Sequence, residues 1–360
     1  MSATSVRSFL DGLMKRYAPD PANMQSSPPL KKAPADLDVR TLASRPDLAP
    51  HWLAQLQKTR VTPLKGGVRP TASKVAMLDD DRKVFLKCMD FTQARSHAKR
   101  EFIDESVRIQ ALKHPHLVQV LGYSVVAYST TFCVVLEFME LGTLRSCLRN
   151  PSFFHSQTAP SASNNTSPSP ASAYQMCLDL AMGLRYLHSH RLPHGAISSS
   201  NVLVHANRQC KWNIQQLMQC QPRHYSSRRG HEGHRFGICD VVYVAPELLR
   251  CCTVEDLFAA DIYALAVLFG EILTQKAPFA DIYDALGPVG ADVHIATIKA
   301  DPTSTPEVLA PFAATIWPTE NALIMAKCLD PTPANRPTID AVVVALTPLV
   351  EKPTHVLESK

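Results

Sequence analysis

No apolar run in the 360-residue sequence is long enough to cross a membrane: the longest, Ile262 to Gly270, stops at Glu271, well short of the roughly 18 residues a span requires. The N-terminus has no continuous apolar core of the kind a signal peptide carries, so the expectation is a soluble, cytoplasmic protein without a transmembrane segment. A dominant charge is missing too. The 37 basic and 32 acidic residues are scattered and net only +5, which excludes the concentrated basic field of a nucleic-acid binder. The 10 cysteines show no C-x2-C pair with a matching partner and no regular spacing, so they read as reduced core thiols in a reducing compartment. What is present is apolar content: 46% hydrophobic residues suffice for the core of one large or two ordinary domains, and a wholly disordered chain is excluded.

Residues 1–60 carry clusters such as Ser26-Ser27-Pro28-Pro29 and few apolar positions, which predicts a mostly disordered tail. Within it Val6, Phe9, Leu10, Leu13, Met14 and Tyr17 form an apolar stripe at helical spacing, suited to a partner, a membrane surface or the chain's own domain; Asp11 weakens an organelle presequence. Residues 61–148 read as strands around one helix: Lys83 to Lys87, Leu117 to Tyr123 and Phe132 to Phe138 are strands, and Ala98 to Leu112 is the helix. A Ser/Pro/Asn-rich stretch over 150–172 predicts a flexible insertion. Beyond it the pattern is helical, with Tyr174 to Ser189 amphipathic and Asp261 to Leu273 apolar nearly all round, as in a buried helix.

Several ordered motifs span residues 61–350. They are Lys87 closing VFLK; Glu105 in EFIDESVRIQALKHPHLVQVLG; Leu136 before Glu137-Phe138-Met139; HGAISSSN from His194 to Asn201; VVYVAPE from Val241 to Glu247; Asp261-Ile262-Tyr263; LTQKAPF; and CLDPTPANRPT. In this order and spacing they resemble the protein kinase superfamily, nearest to its tyrosine-kinase-like members. The resemblance implies a two-lobed α+β fold: a small β-rich N-lobe over 61–138 with one helix, a hinge and helix over 139–149, the insertion over 150–172, and a large helical C-lobe over 173–350. A short tail over 351–360 follows. It implies that Lys87 pairs with Glu105, that Leu136 is the gatekeeper, that His194 and Asp261 tie the catalytic loop to the helical lobe, and that Arg336 pairs with Glu247. HGAISSSN also resembles the HG-x-x-x-SSN loop in the kinase-homology domain of membrane guanylate cyclases.

The chemistry departs from that pattern. Phosphoryl transfer depends on positioned phosphates, metal ligands and a carboxylate that receives the substrate proton. The carboxylate position is Ala196, which cannot orient a hydroxyl, and the arginine before it is Gly195. Aligning CKWNIQQL on the family's KISDFGL puts Ile214, Gln215 and Gln216 at the metal-binding triplet, leaving Asn201 as a lone amide where magnesium requires a carboxylate. Gly66 and Gly67 are adjacent, with no later glycine to complete a phosphate-cradling loop. Phe85 shares a strand face with Lys87 and stands where the family places a small alanine against adenine. A ring there would fill the adenine slot, with Val75 and Leu203 as neighbours; at a shifted register it would be an ordinary core aromatic.

The expectation is therefore a pseudokinase with no intact catalytic residue. Its vestigial nucleotide site comprises Lys87, Glu105 and Asn201, lined by Phe85, Val75, Glu137, Met139 and Leu203. No resident cofactor is expected; ATP would bind only without normal magnesium coordination, and Lys87 with Glu105 would serve as a structural salt bridge. Its partner would be a protein, such as an active kinase or another signalling enzyme. The rival is a weakly active, unconventional ATP-binding protein kinase that recruits a substitute carboxylate such as Asp240. Cys220, His224, His231, His234 and Cys239 contain zinc-type ligands without a metal-site spacing, so no metal is assigned; Tyr225, Ser226 and Ser227 lie among arginines that a kinase could target, or in a solvated basic loop. No nucleophile elbow supports a hydrolase.

Overall fold

A computed structural model of the chain describes residues 38–53, 56, 60–64, 71–150, 153, 170–214, 241–250, 256–301 and 319–351. They fall into two compact units, one built from residues 29–142 and 203–215 and the other from the remainder.

The first unit is a five-stranded antiparallel sheet and a helix. Its strands are β1 (Val61–Pro63), β2 (Thr71–Met77), β3 (Lys83–Asp90), β4 (Val120–Val125) and β5 (Thr131–Glu137), in the order β1-β2-β3-β5-β4. Period-two alternation along β3 sends Val84, Leu86 and Cys88 into one apolar cluster, with Ala76, Cys133 and Val135. Phe85 and Lys87 share the other face, where Lys87 lines a cavity with residues of helix α1 (Ser96–Ala111). That helix buries Phe102, Ile103, Ser106 and Ile109 at spacings of 3 and 4, the stripe that packs onto a sheet. Phe132 of β5 is an aromatic hub, its ring 5.9–6.2 Å from those of Trp52, Phe91, Phe102 and Tyr123. The Tyr123 hydroxyl donates to Ser106 O at 3.1 Å, joining β4 to α1.

The tail expected over residues 1–60 is corrected for part of its last third, because residues 38–53 and 56 are packed onto this unit. Val39–Ser44 and Ala49–His51 form 3-10 turns, the first capped by Asp38, and Leu42, Leu48 and Leu56 are buried. The segment then runs parallel to β4, the edge strand: Leu53 N donates to Tyr123 O at 2.8 Å, Leu56 N to Val125 O at 3.0 Å, and Ala127 N to Leu56 O at 2.8 Å. Satisfying an exposed strand edge while burying leucines outweighs the entropy that composition alone assigns to such a stretch. The amphipathic stripe of residues 6–17 lies outside the described residues.

The second unit is helical, with α2 (Leu144–Leu148), α3 (Pro170–Ser189), α4 (Pro246–Leu249), α5 (Leu257–Thr274), α6 (Ala280–Ala300), α7 (Thr319–Cys328) and α8 (Ile339–Glu351). Helix α5 is capped by Asp256, which accepts from Phe258 N and Ala259 N, and it ends at Gln275 in a left-handed conformation. Its length and composition would suit a membrane span, but 78% of it is buried inside the fold, so it is the core helix of this unit. Helix α3 packs on α5 and α8 and starts at Pro170, inside the stretch expected to be insertion. A short three-stranded ladder of β6 (Gly142–Thr143), β7 (Val202–Val204) and β8 (Cys210–Trp212) lies where the chain passes between the units, with β8 in the first.

Candidate functional site

The first unit gathers most of the residues singled out from sequence. Lys87 and Glu105 line one cavity with Phe102, Ser106, Ile109 and Leu136, with room for the centre of about one water, roughly 10 Å3. Burial pushes the Lys87 ammonium below its ordinary range, and the Glu105 carboxylate, which pulls the other way, only partly offsets that. Phe85 is half-buried and stands directly opposite Val75 on β2 and Leu136 on β5, so the three side chains form one row across the sheet. Leu203 is half-buried on β7.

Where β5 ends, Glu137 is held by groups that sequence inspection did not single out. Its carboxylate accepts from Lys211 Nζ at 2.7 and 2.9 Å and from Gln119 N at 2.8 Å. The available signal was Lys211 itself, a charge between the fully buried Cys210 and Trp212 of β8. Met139 is buried and turns the chain, its carbonyl accepting from Gly142 N at 3.1 Å. Ile214, which the sequence resemblance sets at the metal-binding position, is fully buried.

The second unit holds the loop from His194 to Asn201. Asp261 of α5 accepts from His194 N and Gly195 N, both at 2.7 Å, and from His188 Nε2 at 3.0 Å. A nearly inaccessible carboxylate is thus satisfied by two backbone amides and an imidazole, which fixes the loop backbone to the core helix. The His194 ring is buried and its pKa is pushed down to about 4 by desolvation, against the pull of Asp261. It is neutral at physiological pH. Ala196 accepts through its carbonyl from Asn201 Nδ2 at 2.7 Å and presents only a methyl group. The amide of Asn201 therefore braces the loop.

Two further polar groups support this loop and the segment after it. Ser199 Oγ hydrogen-bonds to Glu271 Oε1 and to the Tyr243 hydroxyl, both at 3.0 Å, and Tyr243 also donates to Glu271. Burial raises the Glu271 carboxyl above the usual range. Arg336, whose side chain is 0% exposed, forms a two-bond pair with Glu247 at 2.7 and 2.8 Å and also donates to Ala259 O and Asp330 O. Its guanidinium lies over the Tyr263 ring, with Lys299 over the same ring and donating to Val241 O and Val242 O.

Gly66 and Gly67, Gln215 and Gln216, Asp240, the histidine–cysteine cluster and the serine–arginine stretch lie outside the described residues. Among the described residues no group of three or more His, Cys, Asp or Glu side chains is placed to hold a metal ion. The residues at the magnesium positions do not fit the ion, since Ile214 offers no donor and Asn201 no carboxylate.

A curled antiparallel sheet with one packed helix, followed by a helical unit whose loop is pinned to a core-helix aspartate, is the architecture of a protein kinase. The chain belongs to that family: the model described as protein tyrosine and serine/threonine kinase matches residues 64–346, more than three quarters of it. Among similar proteins are the scaffold protein ILK of Homo sapiens, 24% identical over 273 residues that cover 74% of this chain and 51% of ILK; the probable serine/threonine-protein kinase roco6 of Dictyostelium discoideum, 25% identical over 252 residues, 70% of this chain and 11% of that protein; and guanylate cyclase D of Mus musculus, 25% identical over 253 residues, 70% of this chain and 20% of that protein. The chain thus aligns with about a tenth to a half of the length of these relatives.

Proposed function

We propose that this chain is a pseudokinase, a kinase-fold scaffold or allosteric regulator of a protein partner such as an active kinase or another signalling enzyme. The observation that carries the proposal is that Ala196 and the buried Ile214 stand where the resemblance sets the proton-accepting and the metal-binding aspartate. Phosphoryl transfer without either carboxylate lacks both the group that receives the proton and the charge that holds the metal. Phe85 stands in for the nucleotide base, and Lys87 with Glu105 maintains the relation between β3 and α1. The likeness to a protein named as a scaffold, ILK, supports the same reading.

The test is thermal unfolding of the full chain with millimolar ATP, in magnesium and in a chelator. A native-state ligand present at 100 times its dissociation constant adds about 2.7 kcal/mol and must raise the midpoint. The expected result is no shift in either condition. A magnesium-dependent shift overturns the proposal and favours the second reading, a weakly active ATP-binding protein kinase, which the shared cavity of Lys87 and Glu105 supports. Phosphotransfer abolished by Lys87→Met would establish that alternative.

A further inference from the structure

Cys88 and Cys133 are directly opposite each other on β3 and β5, with sulfur atoms 2.9 Å apart. Their place in the ladder follows from its hydrogen bonds. Phe91 N donates to Thr130 O at 3.1 Å, so by alternation Met89/Phe132 and Lys87/Val134 are hydrogen-bonded pairs and Cys88/Cys133 is a non-hydrogen-bonded one. Cα atoms in such pairs lie about 4.5 Å apart with side chains close, within the roughly 4.4–6.8 Å that a disulfide bridges. The two thiols are 1% and 0% exposed, on the sheet face away from Lys87, in the apolar cluster that also contains Leu56 of the N-terminal strap and against which Leu53 packs.

We infer that Cys88 and Cys133 are a redox modification site, a dithiol that a small-molecule disulfide such as oxidised glutathione converts into a cross-strand disulfide. With Cys88 first, its thiolate attacks one sulfur of the oxidant, releasing one small thiol and leaving a mixed disulfide. The Cys133 thiolate then attacks the Cys88 sulfur and releases the second small thiol. One disulfide bond breaks and one forms, the two protein S–H protons end on the two released thiols, and the two electrons pass to the oxidant. Either thiol can donate a hydrogen bond to the other's thiolate and the Lys74 ammonium favours the charge on both, so either sulfur can attack first and the product is the same. The strap decides access, since its leucines pack in and against the cluster that contains both sulfurs. The product staples the strand that carries Lys87 to the strand that runs into Glu137.

The experiment uses the full chain, incubated in a glutathione redox buffer from two starting points, reduced native protein and protein refolded from denaturant, then quenched with an alkylating reagent and digested with trypsin. The expected product links the peptide Cys88–Arg95 to the peptide His114–Arg145, with the loss of two hydrogen atoms in mass. The oxidised protein melts at a higher temperature than the reduced one, and Cys133→Ser abolishes that rise. Gly122→Ala, which pushes the strap away from β4, speeds cross-linking of the native protein. Recovery of Cys88 and Cys133 as separately alkylated peptides from both starting points, or linkage of Cys88 to another cysteine, overturns the inference.

Discussion

Gly122→Ala puts the packing of the N-terminal strap to a direct test. Gly122 lies at a register shift in β4, between Val120 opposite Leu136 and Gly122 opposite Val135, and at this point the strap passes closest to the sheet. A Cβ at Gly122 would come within 2.3 Å of His51 O and 2.9 Å of Leu53 Cγ. The first of these is backbone and cannot rotate away, so the strap must move. Overpacking of this kind costs about 1–3 kcal/mol. Full release also forfeits three backbone hydrogen bonds of about 1 kcal/mol each and re-exposes Leu56, worth about 2 kcal/mol, against the chain entropy regained. The expected loss is about 2–4 kcal/mol by urea unfolding of the full chain. If the strap detaches, the dependence on urea also falls, because less surface is buried. A loss below about 0.5 kcal/mol with unchanged urea dependence would be the size of an ordinary surface substitution and would refute the packing described.

Other expectations concern the polar core. Glu247→Ala leaves the Arg336 guanidinium buried without its carboxylate and should cost about 3–5 kcal/mol, much of it recovered in Glu247→Ala/Arg336→Met, as a double-mutant cycle would read. His194 is neutral in the folded chain with a pKa of about 4, whereas the unfolded chain takes up a proton below about 6.5, so its stabilising contribution is complete above pH 6.5 and is lost as pH falls toward 4. Between pH 8 and pH 5 this amounts to about 2 kcal/mol, measured as the difference in denaturation slope between the wild type and His194→Gln. Tyr243→Phe removes a donor to buried Glu271 and should cost about 1–3 kcal/mol in urea unfolding. Lys87→Met takes the opposite charge from Glu105 in their shared cavity and should cost about 1–3 kcal/mol in urea unfolding; unchanged or raised stability would mean that the pair does not hold β3 to α1.

The two-unit α+β architecture was legible because its cues are local and ordered. Alternation along Lys83 to Lys87 identifies β3 and places Phe85 beside Lys87 on one face, and an apolar run interrupted only by Asp261 and Glu271 marks the core helix. The strap was not legible. Leu42, Leu48 and Leu56 are too irregularly spaced for either period, their neighbours are those of a loop, and what orders them is the open edge of β4, some seventy residues away in sequence. Long-range polar contacts were hidden for the same reason. Lys211 meets Glu137 across 74 residues and Ser199 meets Glu271 across 72, and neither distance carries a sequence period. The start of α3 was missed although Pro170 supplies a signal, since proline suits the first position of a helix. The Cys88–Cys133 pair needed the β3–β5 register, which composition cannot provide.

The distribution of polar groups in the helical unit bears on how the family's framework is held together. Asp261, Glu271 and Arg336 are each almost fully buried, and each would be costly if its partners were lost: Asp261 holds two loop amides and His188, Glu271 holds Ser199 and Tyr243, and Arg336 holds Glu247 and two carbonyls. None of these contacts depends on Ala196 or Ile214. The geometry of the His194–Asn201 loop and of the Val241–Glu247 segment is therefore maintained by interactions that phosphoryl transfer does not require. Ala196 occupies a half-exposed position that none of this scaffolding uses, whereas replacing Asp261 would remove the acceptor of the buried His194 amide and of the Gly195 amide. Substitution at Ala196 is energetically cheap and at the supporting positions is not, so the framework's stability is separable from the chemistry that the proposed reading assigns as lost.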